Sequence, residues 1–133
     1  MSTWIFQSRP DQFDFSSEVA EGETVPWWAT RYRADMKPGD KVVFWVAGPE
    51  DKRGVYGLGR IENEPTSSQG DDVPRVNVKV ERKLEKPVTV RHFRNNAILK
   101  DMQIMKIPIG TNFRLDKDEE AELAHMPGIG IAG

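Results

Sequence analysis

The chain has 133 residues, 19 Lys+Arg against 21 Asp+Glu, two His and no Cys, for a formal net charge of −2. At this length one domain, spanning residues 1–133, buries roughly two-thirds of its unfolded surface and needs neither disulfide nor metal staples. The missing Cys removes thiolate nucleophiles, disulfides and Cys-ligated zinc together, no apolar run approaches the ~18 residues of a membrane helix, and Met1-Ser2-Thr3-Trp4-Ile5-Phe6 lacks the basic-then-apolar order of a secretory signal; the expectation is a cytoplasmic soluble protein.

Residues 3–7 are aromatic and β-branched and end before Arg9-Pro10, which reads as a short strand closed by a turn. A loop with one helical turn follows to about residue 22. The spacing over 28–36 predicts a helix, stopped by Lys37-Pro38-Gly39-Asp40. Residues 41–47 are an apolar run of strand length, 48–53 a polar loop and 54–61 a second strand, so the two strands form a hairpin. Residues 62–74 read as a long, flexible connection. From 75 to 83 the chain alternates, with Val76, Val78 and Val80 on one face, as a half-buried strand does. Residues 88–90 begin another short strand. Phe93, Ile98, Leu99 and Met102 suit a helix, as does the segment 116–126, where Asp116 and Glu119 are spaced as a capping box. Strands in succession with few, short helices predict a small barrel-like α+β fold.

The charge is unevenly spread. Between Arg75 and Arg94 seven basic residues stand against Glu81 and Glu85, and from Asp116 to Glu122 five acids stand against Lys117. A basic face for a polyanion and an ordinary solvated surface both fit that pattern.

Catalytic parts are missing. His92 and His125 fall in separate segments with no Gly-x-Ser-x-Gly elbow, and neither a His-Glu-x-x-His nor a Walker loop is present. Gly54, Gly57 and Gly59 superficially match a nucleotide loop but lie inside a strand, where glycine more often marks a bulge or close backbone approach. The acid pairs Asp71-Asp72 and Glu119-Glu120 read as solvated carboxylates. The expectation is therefore a binding module without catalytic residues, metal or cofactor.

Of the 12 aromatic residues, ten fall between Trp4 and Tyr56. In Val42-Val43-Phe44-Trp45-Val46 consecutive side chains take opposite faces of a strand, so Phe44 and Trp45 cannot enter one layer. Trp27-Trp28 poses the same question, with Arg31, Arg33 and Lys37 close behind. Rings flanked by guanidinium groups suit a stacked base, a methylated cation or a protein partner, and a core rich in large rings is the alternative.

Several segments in order resemble the EVE domain, a member of the PUA-like superfamily related to YTH domains. They are Trp4-Ile5-Phe6-Gln7-Ser8-Arg9-Pro10, Trp27 before Arg31-Tyr32, Lys37-Pro38-Gly39-Asp40-Lys41-Val42-Val43-Phe44-Trp45 and Gly48. Then come Gly54-Val55-Tyr56-Gly57-Leu58-Gly59-Arg60-Ile61, Lys86-Pro87-Val88, and Gly110-Thr111-Asn112-Phe113 with Leu115 before an acidic helix. The resemblance implies an α+β fold, a PUA-like β-pseudobarrel of five to six strands surrounded by short helices. It also implies a pocket for a methylated or hydroxymethylated nucleobase in DNA or RNA, with a nuclease or defence-system protein as a further partner. Carried over, the pocket is lined by Gln7, Ser8, Trp27, Trp45, Thr111, Asn112 and Phe113, with Arg9, Arg31 and Arg33 on phosphates. Asn112 suits either a base edge or a local turn, and Trp28 and Tyr32 fit core or site. Pro108-Ile109 stands where the family suggests a Gln, and the doubled Trp leaves open which ring faces the pocket. A PUA-like module for a protein or small ligand, without nucleic acid, is the alternative.

Overall fold

The computed structural model describes residues 1–66 and 74–129. Six strands, β1 (Thr3–Ser8), β2 (Thr24–Trp28), β3 (Lys41–Val46), β4 (Gly54–Ile61), β5 (Arg75–Thr89) and β6 (Asn112–Arg114), form one sheet in the order β2-β5-β4-β3-β1-β6. β1 runs parallel to β3, and every other neighbouring pair is antiparallel. Four short helices, α1 (Phe15–Glu18), α2 (Val90–Arg94), α3 (Gln103–Lys106) and α4 (Lys117–His125), decorate the sheet. The curled sheet with short helices is the PUA-like pseudobarrel expected.

Both faces of the sheet are covered, which is why β1 is buried along its whole length. Trp4, Phe6, Val42, Phe44, Val76, Val78 and Val80 face a first apolar layer, closed by Phe15, Trp27 and Met36. Ile5, Val43, Trp45, Val55 and Phe113 face a second, closed by Phe93, Leu99, Met102 and Leu123 from the C-terminal helices. Phe44 and Trp45 do occupy opposite layers, and each is buried.

The hairpin of β3 and β4 forms in antiparallel register with a bulge at Phe44/Trp45. The three glycines of β4 serve close packing. A Cβ on Gly59 would strike the Lys79 carbonyl oxygen and come within 2.7 Å of the Phe44 ring, and one on Gly57 would lie 2.8 Å from Phe15. Rings of the first layer thus lie directly on the bare backbone of β4.

Three expectations are corrected. Residues 28–36 are no helix: Trp27 and Trp28 end β2, Tyr32 is left-handed at φ 57°, and only a 3₁₀ turn at Arg33–Asp35 follows. Trp28, Ala29, Tyr32 and Met36 mimic helical spacing, but pairing with β5 extends the segment, and Pro26 is tolerated because β2 is an edge strand. Residues 88–90 begin no new strand; β5 reaches Thr89, with 84–87 bulging between the Gly57–Lys83 and Val55–Val88 pairs. The apolar residues 93–102 are split into α2, a 3₁₀ turn (Leu99–Asp101) and the residue before α3, because the Asn96 side-chain Oδ1 accepts from the Ile98 and Leu99 amides, both at 2.9 Å, and restarts the chain. Most of the 62–74 connection, including Asp71-Asp72, lies outside the described residues.

The capping box at α4 forms as read: Asp116 accepts from the Glu119 amide at 2.8 Å and Glu119 from the Asp116 amide at 3.0 Å. Asp116→Ala is expected to lower stability by about 1 kcal/mol in urea denaturation; an unchanged midpoint would contradict the cap's contribution.

Candidate functional site

The two edge strands, β2 and β6, make no ladder with one another. Their gap is closed by one side chain. Asn112, fully buried at the start of β6, accepts at Oδ1 from the Thr30 amide (2.8 Å), the Thr30 hydroxyl (3.1 Å) and the Arg31 amide (3.3 Å), while its Nδ2 donates to the Trp28 carbonyl (3.0 Å). The amide thus binds the last residue of β2 and the two residues beyond Ala29 through both its oxygen and its nitrogen.

Beside this seam lies a cavity of about 250 Å³, a little smaller than the usual small-molecule pocket. The end of β1 supplies Gln7, Ser8 and Arg9; the following turn supplies Gln12 and Phe13; β2 supplies Trp27 and Trp28; the loop before β6 supplies Gly110 and Thr111. The Arg9-Pro10 turn is closed by the Gln12 and Phe13 amides donating to the Arg9 carbonyl, which returns Phe13 to Trp27. Trp27 is 2% exposed and held by Phe13 edge-on at 5.5 Å, Phe44 at 5.3 Å and Phe6 at 6.1 Å. Trp28 is 42% exposed, with the Arg75 guanidinium 5.7 Å from its ring centroid. Both indoles therefore line the cavity, one as a fixed wall and the other at the rim.

The polar groups are less satisfied than the rings. Gln7 donates its Nε2 to the Gly110 carbonyl at 2.7 Å and the Pro108 carbonyl at 3.4 Å, which fixes the amide's orientation. Its Oε1 then has no partner. The same holds for Ser8 Oγ and Trp27 Nε1, so three of the five buried, unpartnered side-chain polar atoms among the described residues are on residues that line this cavity. Each such atom costs roughly 1–3 kcal/mol when dry and unpaired, and three of them fall on the residues of one cavity. Among the described residues no carboxylate lines the cavity. Tyr56, whose phenol is raised by burial and then by Asp14 and Asp51, lies outside the lining. So does Glu119, whose carboxyl is raised chiefly by burial.

Of the residues expected in the pocket, Gln7, Ser8, Trp27 and Thr111 line this cavity, Thr111 accepting the Gln7 amide at 2.8 Å through its carbonyl, and Arg9, expected on phosphate, lines it with them. Three further residues stand elsewhere. Trp45 is stacked on Phe93 at 5.7 Å in the second layer, across the sheet from the cavity. Phe113 lies in that layer too, and Asn112 is consumed by the seam. Of the cations, Arg31 is exposed with its guanidinium beside Gly110. Arg33 borders a different cleft with Met36, Lys37 and Glu64. Trp28, left open between core and site, stands at the rim, while Gln12 and Phe13 were missed; an aromatic two residues past a turn proline-aspartate was the available signal for Phe13. A second cavity of about 360 Å³ shares Phe13, Trp27 and Trp28 but adds Glu18 and Glu23, a poor setting for phosphate. Among the described residues no group of three or more His, Asp or Glu is placed to hold a metal, and no helix is long and apolar enough to cross a membrane.

The six-stranded curled sheet with its short helices has the fold of PUA-like proteins. Within that class residues 2–126 match the EVE domain model, and the chain belongs to the EVE domain family. The fold is shared by solved structures of a protein from Agrobacterium tumefaciens (TM-score 0.79, 20% identity, 99% of this chain and 97% of that one) and of one from Rhodopseudomonas palustris (TM-score 0.78, 20% identity, 100% and 97%). It is also similar to the human THYN1 protein, solved in complex with DNA containing 5-methylcytosine (TM-score 0.67, 16% identity, 92% of this chain and 95% of that one). No curated protein matches the chain.

Proposed function

We propose that the protein is a non-catalytic reader of a methylated or hydroxymethylated nucleobase in nucleic acid, and that the base enters the cavity between β1, β2 and the loop before β6. The observation that carries this reading is the set of unpartnered atoms on the cavity residues: an acceptor (Gln7 Oε1), a hydroxyl (Ser8 Oγ) and a donor (Trp27 Nε1) beside aromatic walls. A base offers complementary donors and acceptors on its edge and flat faces for the rings. Leaving its stack costs a few kcal/mol, which stacking worth ~1–3 kcal/mol offsets, and each added methyl carbon buried contributes roughly 0.8 kcal/mol. Membership of the EVE family and the likeness to a protein solved with 5-methylcytosine DNA support the same reading.

The test is a titration with short oligonucleotides carrying unmodified bases, 5-methylcytosine, 5-hydroxymethylcytosine or N6-methyladenine. Affinity for one modified strand at least tenfold above its unmodified counterpart is expected. Equal affinity for all would overturn the reading.

The net charge of −2 favours a second reading, a module for a protein or small ligand. Salt separates the two. Phosphate contacts make log K fall with log[salt], and Arg9→Ala is expected to reduce that slope by ~0.7–0.9, the increment of one contact; affinity indifferent to salt would favour the second reading.

A further inference from the structure

Among the described residues, five large apolar side chains are exposed: Met1, Trp28, Ile98, Ile107 and Ile109. Trp28 is at the cavity rim, and Ile107 (58% exposed) and Ile109 (69%) lie on the loop whose carbonyls Gln7 holds. This loop is stiffly built. Its near end is tied by the Ile107 amide donating to the Gln103 carbonyl at 2.8 Å, Pro108 fixes the middle, and Gly110, at φ +124°, turns the chain into the cavity wall. Two β-branched side chains on a preset backbone lose little freedom when they are packed. The exposed Lys106 precedes them in sequence and acts on Glu119, and the exposed Arg31 guanidinium, 5.3 Å from the Tyr32 ring centroid, lies beside Gly110.

We infer that the 106–110 loop is a wedge for duplex DNA, with Ile109 entering the base stack at the gap left by the extruded base. The inference rests on the base-reading function and adds to it the substrate's strandedness. A base drawn out of a duplex leaves an apolar hole between its neighbours and an orphaned partner base; branched aliphatic side chains fill such gaps in proteins that unstack DNA. A single strand has no opposing base to hold a hole open. Ile109 is the residue before Gly110, which lines the cavity, and the Arg31 guanidinium lies beside Gly110 over the Tyr32 ring, so the proposed wedge adjoins the cavity with a cation next to it. The same loop is joined to the cavity through Gln7, so seating of a base and seating of the wedge bear on one side chain.

Wild type, Ile109→Ser and Ile109→Leu are titrated with oligonucleotides carrying 5-methylcytosine, 5-hydroxymethylcytosine or N6-methyladenine, each as a single strand and as a duplex. For the modification that wild type prefers, Ile109→Ser is expected to weaken duplex binding about tenfold or more and to leave the single strand within about twofold, with Ile109→Leu restoring most of the loss. Equal losses on both forms, no loss on the duplex, or wild-type binding confined to single strands would overturn the wedge while leaving the base-reading cavity standing. Wild type that distinguishes no modified base in either form would overturn the cavity reading and the wedge with it.

Discussion

Replacing Asn112 with alanine is expected to lower the unfolding free energy by about 2–4 kcal/mol, one of the largest single-residue losses in this fold. The reason is that one side chain does what a strand pair does elsewhere. It takes three hydrogen bonds from Thr30 and Arg31 and returns one to Trp28, across two edges that share no ladder. Alanine removes all four contacts at once and leaves a hole at a fully buried position. Partial hydration of the freed Thr30 and Arg31 groups, which are exposed residues, keeps the loss below the sum of four buried bonds. Asn112→Asp keeps the acceptor but sets a carboxylate oxygen against the Trp28 carbonyl, so it is also expected to be destabilised. Urea denaturation of the three proteins measures both, and a loss under 1 kcal/mol for alanine would show that the seam is held by something else. Ligand binding falls with the same substitution, because the Trp28 end of β2 is tethered through Asn112.

Trp27 carries the second large effect, in which stability and binding must be separated. Trp27→Ala is expected to cost about 3–5 kcal/mol, since the ring packs against Phe6, Phe13 and Phe44. That is a large part of the 5–15 kcal/mol that domains of this kind possess, so loss of binding in this variant would say little. Trp27→Phe keeps an aromatic wall and removes the indole N–H. Its expected stability loss is below about 2 kcal/mol, yet base affinity should fall about tenfold, the equivalent of ~1.4 kcal/mol for one donor to a ligand. Equilibrium binding beside a denaturation curve reads the two quantities apart. Undiminished affinity in Trp27→Phe would remove Trp27 Nε1 from the site.

Much of the fold was legible because its strands obey a period of two and its turns use Pro, Gly and Asp. The hairpin of β3 and β4, the alternating half of β5 and the Asp116/Glu119 cap are local matters of pattern and capping. The helix expected over 28–36 failed because spacing cannot distinguish a helical face from residues delivered to one core by a strand end, a turn and a 3₁₀ segment. Trp45 shows the corresponding limit for the site. Alternation says that Phe44 and Trp45 point to opposite faces, but not that segments 90–126, distant in sequence, cover the second face and bury the indole against Phe93. Asn112 lies beyond local reading for the same reason, as its partners are about 80 residues away. Gln7, Ser8 and Thr111 were accessible through the family resemblance, whereas the unsatisfied state of Gln7 Oε1 and Ser8 Oγ emerges only from packing.

The four indoles allow the base-reading claim to be tested within one sample. Trp4 Nε1 donates to Asp40 at 3.0 Å, Trp45 Nε1 is buried and unpartnered across the sheet, and Trp27 Nε1 is buried and unpartnered in the cavity lining. In an NMR titration with an oligonucleotide carrying the preferred modified base, the Trp27 indole N–H is predicted to shift the most as it gains an acceptor. Trp28 at the rim follows, and Trp4 and Trp45 stay in place. Binding that moves Trp45 and leaves Trp27 unchanged, or that moves no indole at all, would contradict a base held between β1, β2 and the loop before β6.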